Sequence, residues 1–313
     1  MNFTLTTLGS ASALPTCDRY PSAHVINIRG RLFLIDCGEG CQIQLRRAGI
    51  SFLKIEAIFV THLHGDHIFG IYGLLSTMAL MGRSASLTIY APFMFSSILK
   101  HFNEMFADGV KFEIKHIVLS GKSKNLIYST RNFEIYSFGL NHRIDTFGFL
   151  FKEKEPQRNI RKWLIERDKL TLREIALLKN GENVIRENGE VLENEYYTYL
   201  PFTPRSYAHC SDTAPFEGEA DLVKGVSLLY HEATFMDDLE SMAKATCHST
   251  TYQAAKVARD ANVGKLIVGH YSSRYSDLDK IIKEVREIFP NSELSKEGKV
   301  FEILLHKHEQ RTG

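Results

Sequence analysis

Little in this chain is in excess, and several absences narrow what it can be. It has one tryptophan, eight prolines and five cysteines, too few for a fibrous, low-complexity or disulfide-stapled fold. Cys17, Cys37, Cys41, Cys210 and Cys247 form no C-x-x-C pair. An odd count in a chain of this size reads as reduced thiols, which points to a cytoplasmic protein. No apolar run is long enough to span a bilayer, so no membrane role is expected. The start, MNFTLTTLGS, alternates like a strand and lacks the basic head of a signal peptide. Charge of one sign is missing as well: 38 Lys and Arg face 37 Asp and Glu, so a polyanion would have to be met by local basic clusters. There is no internal repeat.

What is present is a core. Hydrophobic residues make up 44% of 313 residues and charged residues 24%, as in globular proteins. Apolar alternation predicts strands at Phe3 to Leu8, Ala23 to Ile28 and Arg31 to Ile35, with a turn at Arg29-Gly30. Ala57 to Val60 reads as a buried strand that stops at a polar loop, Thr61 to His67. Ile68 to Met81 is too long and too apolar for a strand and predicts a helix against a sheet. A strand is expected at Leu87 to Tyr90, a helix around Phe95 to Phe106, and short strands from Ile114 to Phe151. The chain reads as one domain over 1–313 with an inserted arm at 153–204, where charge rises and alternation fades. In the arm, Thr171 and Glu174 have capping-box spacing and Asn180-Gly181 supplies a stop, so Leu172 to Lys179 should be helical. Core pattern resumes after Arg205, with strands near Ser227 to Tyr230 and Lys265 to Val268 and a helix at Thr251 to Ala261.

Imidazole and carboxylate concentrate at His62, His64, Asp66 and His67, a density that is costly unless a metal satisfies it. In an extended loop His62 and His64 point the same way, and Asp66 and His67 can turn toward a second ion. Neutral imidazole with a hard carboxylate suits zinc, with manganese or iron as the other choices. His142, Asp212 and His270 each follow an apolar strand-like segment and would complete two sites if those strands converge. His24, His101, His116, His209, His306 and His308 have no such company and read as surface or partly buried residues.

The pattern H-x-H-x-D-H resembles the signature of the metallo-β-lactamase superfamily, and Asp36, His62 to His67, His142, Asp212 and His270 stand in the order of its five motifs. That resemblance implies an α/β (α+β) fold, an αββα sandwich of two mixed sheets flanked by helices, and a metal-dependent hydrolase. It implies two Zn2+ per subunit, with Mn2+ or Fe2+ as alternatives. It gives His62, His64 and His142 to one ion and Asp66, His67 and His270 to the other, with Asp212 bridging and Asp36 supporting by hydrogen bonds. His231-Glu232-Ala233-Thr234, His248-Ser249-Thr250 and Gly269 to Tyr275 resemble three blocks of the ribonuclease Z family. The narrower resemblance implies an endoribonuclease that removes the 3′ trailer from precursor tRNA, leaving a 3′-hydroxyl on the tRNA and a 5′-phosphate on the trailer. Asp66 would hold or deprotonate the attacking water, and His248, oriented by Glu232, would protonate the leaving oxygen. A homodimer is implied by the short length, with an arm that grips tRNA. The RNA-binding candidates are Arg19, Arg158, Arg161, Lys162, Arg167, Lys169, Arg173 and Arg274; Lys179 adds to the arm's basic count, and Trp163 is expected to pack the arm.

Two features depart from that family. The chain has no Gly-Pro dipeptide, an element usual in the arm. The family's P-x-K-x-R-N loop is here Pro15-Thr16-Cys17-Asp18-Arg19-Tyr20, so Cys17 replaces the lysine and Tyr20 the asparagine, offering an aromatic face for a base. The competing readings are a two-metal phosphodiesterase acting on a small cyclic nucleotide or ester, and a non-catalytic tRNA-binding paralogue, which should have lost ligands.

Overall fold

The strands predicted from alternation form two seven-stranded sheets in a computed structural model that describes residues 2–106 and 108–308. The strands are β1 (Phe3–Gly9), β2 (Ala23–Ile28), β3 (Arg31–Ile35), β4 (Ile55–Phe59), β5 (Leu87–Pro92), β6 (Ile114–Leu119), β7 (Asn125–Ser129), β8 (Phe133–Gly139) and β9 (Phe147–Glu153). Short β10 (Asn159–Ile160), β11 (Val184–Ile185), β12 (Val191–Leu192) and β13 (Thr198–Tyr199) follow. Then come β14 (Ser206–Cys210), β15 (Leu228–Glu232), β16 (Leu266–Gly269), β17 (Ser292–Leu294) and β18 (Val300–Glu302). One large sheet runs β18-β1-β2-β3-β4-β5-β6 and the other β17-β16-β15-β14-β9-β8-β7.

Both sheets are mixed. β1 to β3 are antiparallel, whereas β3 to β6 and β14 to β17 run parallel. Period-two alternation sorts their side chains into layers. Phe33 and Phe59 meet Phe149 and Phe151 between the sheets, with ring centres 5.1–5.9 Å apart. Leu34, Ile58 and Ile89 point the other way, into a cluster with Leu45, Leu74, Leu75 and Phe102 of the helices Cys41–Arg47, Ile71–Leu80 and Phe95–Met105. On the far side Ala208, Leu229 and Val268 pack on Ala254, Ala258, Ile281 and Val285 of the helices Thr251–Asp260 and Asp279–Ile288. The result is an αββα sandwich of the metallo-β-lactamase type.

The chain divides into two compact units. The sandwich is formed by the described residues of Met1–Tyr128, Ile135–Phe151 and Ser206–Ile303. The other unit takes Ser129–Glu134, Lys152–Arg205 and the described chain from Leu304. It has its own core of Leu164, Leu170, Leu178, Val184, Leu192 and Tyr197, built from helices Lys162–Arg167 and Leu172–Lys179 and the pairs β10–β13 and β11–β12. The Thr171–Glu174 capping box is formed. A fork from Arg205 to Glu153, with two hydrogen bonds of 3.0 Å, is buried in the same unit.

On the outer face of β15, His231 donates Nδ1–H to the Glu232 carbonyl (2.7 Å) and meets Glu219 through Nε2 (2.9 Å), all three residues being buried. Burial opposes a charged ring there, but Glu219 outweighs it and raises the imidazole's proton affinity. The pair therefore stabilises the fold fully below the unfolded histidine value of about 6.5 and stops doing so as pH rises through the raised folded value. Glu219→Leu should cost about 3–5 kcal/mol at pH 6, the size expected for a broken buried pair. Urea unfolding checks this, and the gap from wild type should narrow on going to alkaline pH.

Candidate metal centre

Six strands end at one rim of the sandwich, and each hands over a polar residue as it leaves its sheet. β3 runs into Asp36, β4 into the Thr61 to His67 loop, β8 into the turn with His142, β14 into Asp212, β15 into Glu232 and β16 into His270. Ala13, Asp36, Cys247 and His270 all adopt left-handed φ of 54–60° without being glycine. Such backbone costs on the order of 1–3 kcal/mol per residue and persists where the surroundings enforce it.

Asp36 is wholly buried and accepts four hydrogen bonds: from Thr61 N (2.8 Å), Thr61 Oγ1 (2.9 Å), Ser22 Oγ (3.4 Å) and His67 Nδ1 (2.7 Å). Because the Thr61 hydroxyl donates to Asp36, it accepts from His62 Nδ1 at 3.0 Å. The other half repeats the scheme. Glu232 accepts from Thr213 N (2.8 Å), His248 Nδ1 (2.8 Å), Thr234 N (3.1 Å) and Thr234 Oγ1 (2.6 Å), and that hydroxyl accepts from His270 Nδ1 (2.9 Å). His142 donates Nδ1–H to the Cys247 carbonyl at 2.8 Å. Four rings, His62, His67, His142 and His270, therefore have Nδ1 engaged outward and Nε2 turned inward.

The inward atoms are too close to like one another unless something positive lies among them. His67 Nε2 is 3.3 Å from His270 Nε2, and His64 Nδ1 is 3.0 Å from His62 Nε2 and 3.3 Å from His142 Nε2. Burial holds His62, His64 and His142 below the ordinary imidazole range, so they offer lone pairs. His67 goes the other way: burial opposes its charge, but Asp212, Asp36 and Asp66 outweigh burial and lift it to about 10. A cluster that retains a proton so firmly is one that favours a cation. Its donor set, neutral imidazoles with carboxylates, fits zinc-type ions.

Among the described residues four groups each bring their ligand atoms within 4.8 Å of one another: His62, His64, His142 with Asp212; Asp66, His67 with His270; Asp212, His248 with His270; and, away from the rim, Cys210, Glu219 with His231. Asp212 faces the first two. Its Oδ2 lies 3.6 Å from His62 Nε2 and 3.9 Å from His142 Nε2, while Oδ1 lies 3.2 Å from His270 Nε2 and 3.4 Å from His67 Nε2. Asp66 is fixed by the Ala13 N–H on its Oδ2 (2.8 Å). His248 sits beside the rings of His142 and His270, 5.1 and 5.5 Å between centres, and Glu232 more than offsets its burial and lifts it to about 9.

The sequence reading missed Thr61 and Thr234, which couple carboxylate to imidazole. A hydroxyl next to a motif histidine or glutamate was the available signal. It also misplaced His24 and His209, which are buried, not partly exposed. Both occupy inward positions on β2 and β14, where His209 stacks on Tyr230 at 4.4 Å and His24 meets both rings edge-on. Burial drops His24 to about 3, so it packs as a neutral aromatic. Tyr20 is not an open platform either: its ring lies under the Arg47 guanidinium (5.6 Å), its hydroxyl accepts from Arg47 (3.1 Å), and it packs on Gly40.

Of the basic candidates, most are already engaged. Arg19 donates to the Tyr275 carbonyl (2.8 Å), and Arg274 lies over Phe235 (5.1 Å). In the second unit Arg158 binds Thr198, Arg161 the Tyr196 carbonyl, and Arg167 binds Asp168 while covering Trp163. Lys162, Lys169 and Arg173 are exposed and make no ion pair among the described residues.

A family model described as anti-Pycsar protein Apyc1 matches residues 3–116. The chain is 38% identical over 297 residues to a ribonuclease Z of Parabacteroides distasonis, covering 95% of this chain and 98% of that one. It is 42% identical over 304 residues to a ribonuclease Z of Cytophaga hutchinsonii, covering 97% of each. Among solved structures it resembles human tRNase Z, short form, with a TM-score of 0.69 and 26% identity over 96% of this chain and 99% of that one.

Thr234→Val keeps the shape and the backbone N–H to Glu232, but it removes that carboxylate's hydroxyl donor and leaves His270 Nδ1 without its acceptor. It should weaken metal binding about 10–100-fold and lower stability by about 1–3 kcal/mol. Metal titration against a competing chelator and urea unfolding of the metal-free protein read the two effects separately.

Proposed function

This chain belongs to the ribonuclease Z family, and from that premise we propose that it is an endoribonuclease that removes the 3′ trailer from precursor tRNA, leaving a 3′-hydroxyl on the tRNA and a 5′-phosphate on the trailer. The observation that carries this reading is the Glu232–His248 pair, 2.8 Å long and set beside Asp212. A centre that only binds a polyanion has no use for a carboxylate-oriented imidazole there.

His62, His64 and His142 would hold one ion and Asp66, His67 and His270 the other, with Asp212 shared; zinc suits the set best. When bound there, two divalent ions supply Lewis acidity toward water and phosphoryl oxygen. Asp66, pinned by Ala13, holds the attacking water and takes its proton. His248 keeps Nδ1 on Glu232, which leaves Nε2 as the donor to the departing 3′ oxygen. Asp36 and Thr61 hold His67 and His62 in one tautomer throughout.

The exposed cations Lys162, Lys169 and Arg173 supply phosphate contacts for the body of the tRNA. A homodimer is supported by large apolar side chains left in solvent around two helices of the sandwich: Leu80 88%, Phe93 65%, Met94 60% and Met105 65% exposed. No helix among the described residues is long and apolar enough to cross a membrane, and all five cysteines are free, in keeping with work in the cytoplasm.

Incubated with a precursor tRNA, the zinc-loaded protein should give those end groups, and a chelator should stop it. Products with the opposite end groups, or cleavage of small cyclic nucleotides alone, would discard the reading. His248→Ala should slow single-turnover cleavage about 10²–10⁴-fold with metal content unchanged. Replacing Lys162, Lys169 and Arg173 together by Ala should raise KM for precursor tRNA. It should also flatten the salt dependence of binding by about 0.7–0.9 in log–log slope for each phosphate no longer neutralised.

A further inference from the structure

Phe69 is unlike the other phenylalanines near the metal centre. Phe33, Phe59, Phe149 and Phe151 are buried between the sheets, whereas Phe69 is 72% exposed. It caps the one-turn helix Gly65–Ile68, whose own residues include Asp66 and His67. Its ring lies against the Cα of Gly65, between His64 and Asp66: a methyl group on residue 65 would stand 2.2 Å from Phe69 Cε2 and 2.3 Å from Cζ. Glycine is thus required at 65 for the ring to rest on the loop. The ring takes part in no aromatic or cation–π pair among the described residues. A phenyl ring mostly in water adds little to folding; what sets this one apart is its seat on the loop that carries His64 and Asp66.

We propose that the Phe69 ring is the platform on which the first nucleobase of the trailer stacks, fixing the scissile phosphate over the centre. This rests on the endonuclease reading above. In that reading the tRNA leaves as a 3′ oxygen toward His248, and the phosphate stays with the trailer. Of the two nucleotides joined by the scissile phosphate, the one that bears the departing 3′ oxygen lies on the His248 side, opposite the attacking water, so a ring beside Asp66 is nearer the trailer's first nucleotide, which stays on phosphorus through its 5′ oxygen. A stack recognises the π face common to all four bases, which suits an enzyme whose trailers differ in sequence. The ring touches substrate without touching the reacting atoms, so it determines affinity and register.

The test compares kcat/KM for wild type, Phe69→Ala, Phe69→Leu and Phe69→Trp on two precursors that differ only in whether the first trailer nucleotide carries a base or is abasic. On the base-bearing precursor Phe69→Ala and Phe69→Leu should lose about 10–100-fold, the size of one lost stack, while Phe69→Trp stays at or above wild type. On the abasic precursor wild type should fall to the level of Phe69→Ala, and Phe69→Ala should fall no further. Equal losses on both precursors, full activity in Phe69→Leu, or a changed oligomeric state in sedimentation of Phe69→Ala would overturn the assignment and leave the endonuclease reading standing. Failure of wild type to cut either precursor would remove both.

Discussion

Asp36 and Glu232 lie at 0% exposure, and an ionised carboxylate that far from water must be surrounded by donors. Each is, through backbone N–H, a threonine hydroxyl and a histidine. A threonine hydroxyl has one proton. Once Thr61 gives it to Asp36 and Thr234 gives it to Glu232, each oxygen can only accept, and each accepts from a ring nitrogen. Two acids thereby fix the tautomers of His62, His67, His248 and His270. The inward lone pairs of His62, His67 and His270 follow from that assignment, and with His142, set by the Cys247 carbonyl, they make the crowding that calls for a cation.

Much of this was legible in the sequence, for physical reasons that differ by element. β2 and β3 fall on the residues where alternation placed them, and the Leu172–Lys179 helix matches because its cap is a local, covalently short device. The helix expected over Ile68 to Met81 is split into Gly65–Ile68 and Ile71–Leu80, since composition reports burial but not where a chain bends at Gly70. The helix Asp279–Ile288 was not anticipated. At the rim, the cluster from His62 to His67 announced itself by density, while the convergence of His142, Asp212 and His270 on it needed the fold. Thr61 and Thr234 were invisible because a threonine has no chemical rarity. Their importance comes from the direction of one hydroxyl proton.

Strain and precision go together at this site. Asp36 and His270 turn into the left-handed region directly after β3 and β16, so the first residue beyond each strand points across the rim rather than along it. Cys247 does the same before His248, which aims its carbonyl at His142. A sheet end would otherwise continue its alternation, and alternate residues would face away from the centre. The cost is carried by the sandwich beneath, whose three layers of apolar packing, one between the sheets and one under each set of helices, hold all six strand ends in register.

The second unit separates two kinds of positive charge. Arg158, Arg161, Arg167, Arg186 and Arg205 bind neighbours within it and hold its small core in shape, whereas Lys162, Lys169 and Arg173 pair with no acid among the described residues. Substitutions at those three positions remove no such contact, whereas replacing Arg205 breaks a buried pair with Glu153. In the reading proposed above, the exposed set is the one that meets RNA, and it can be altered without disturbing the side chains that shape the unit. On that reading, a change of RNA clientele would need surface substitutions alone, with the chemistry at the metal centre left as it was.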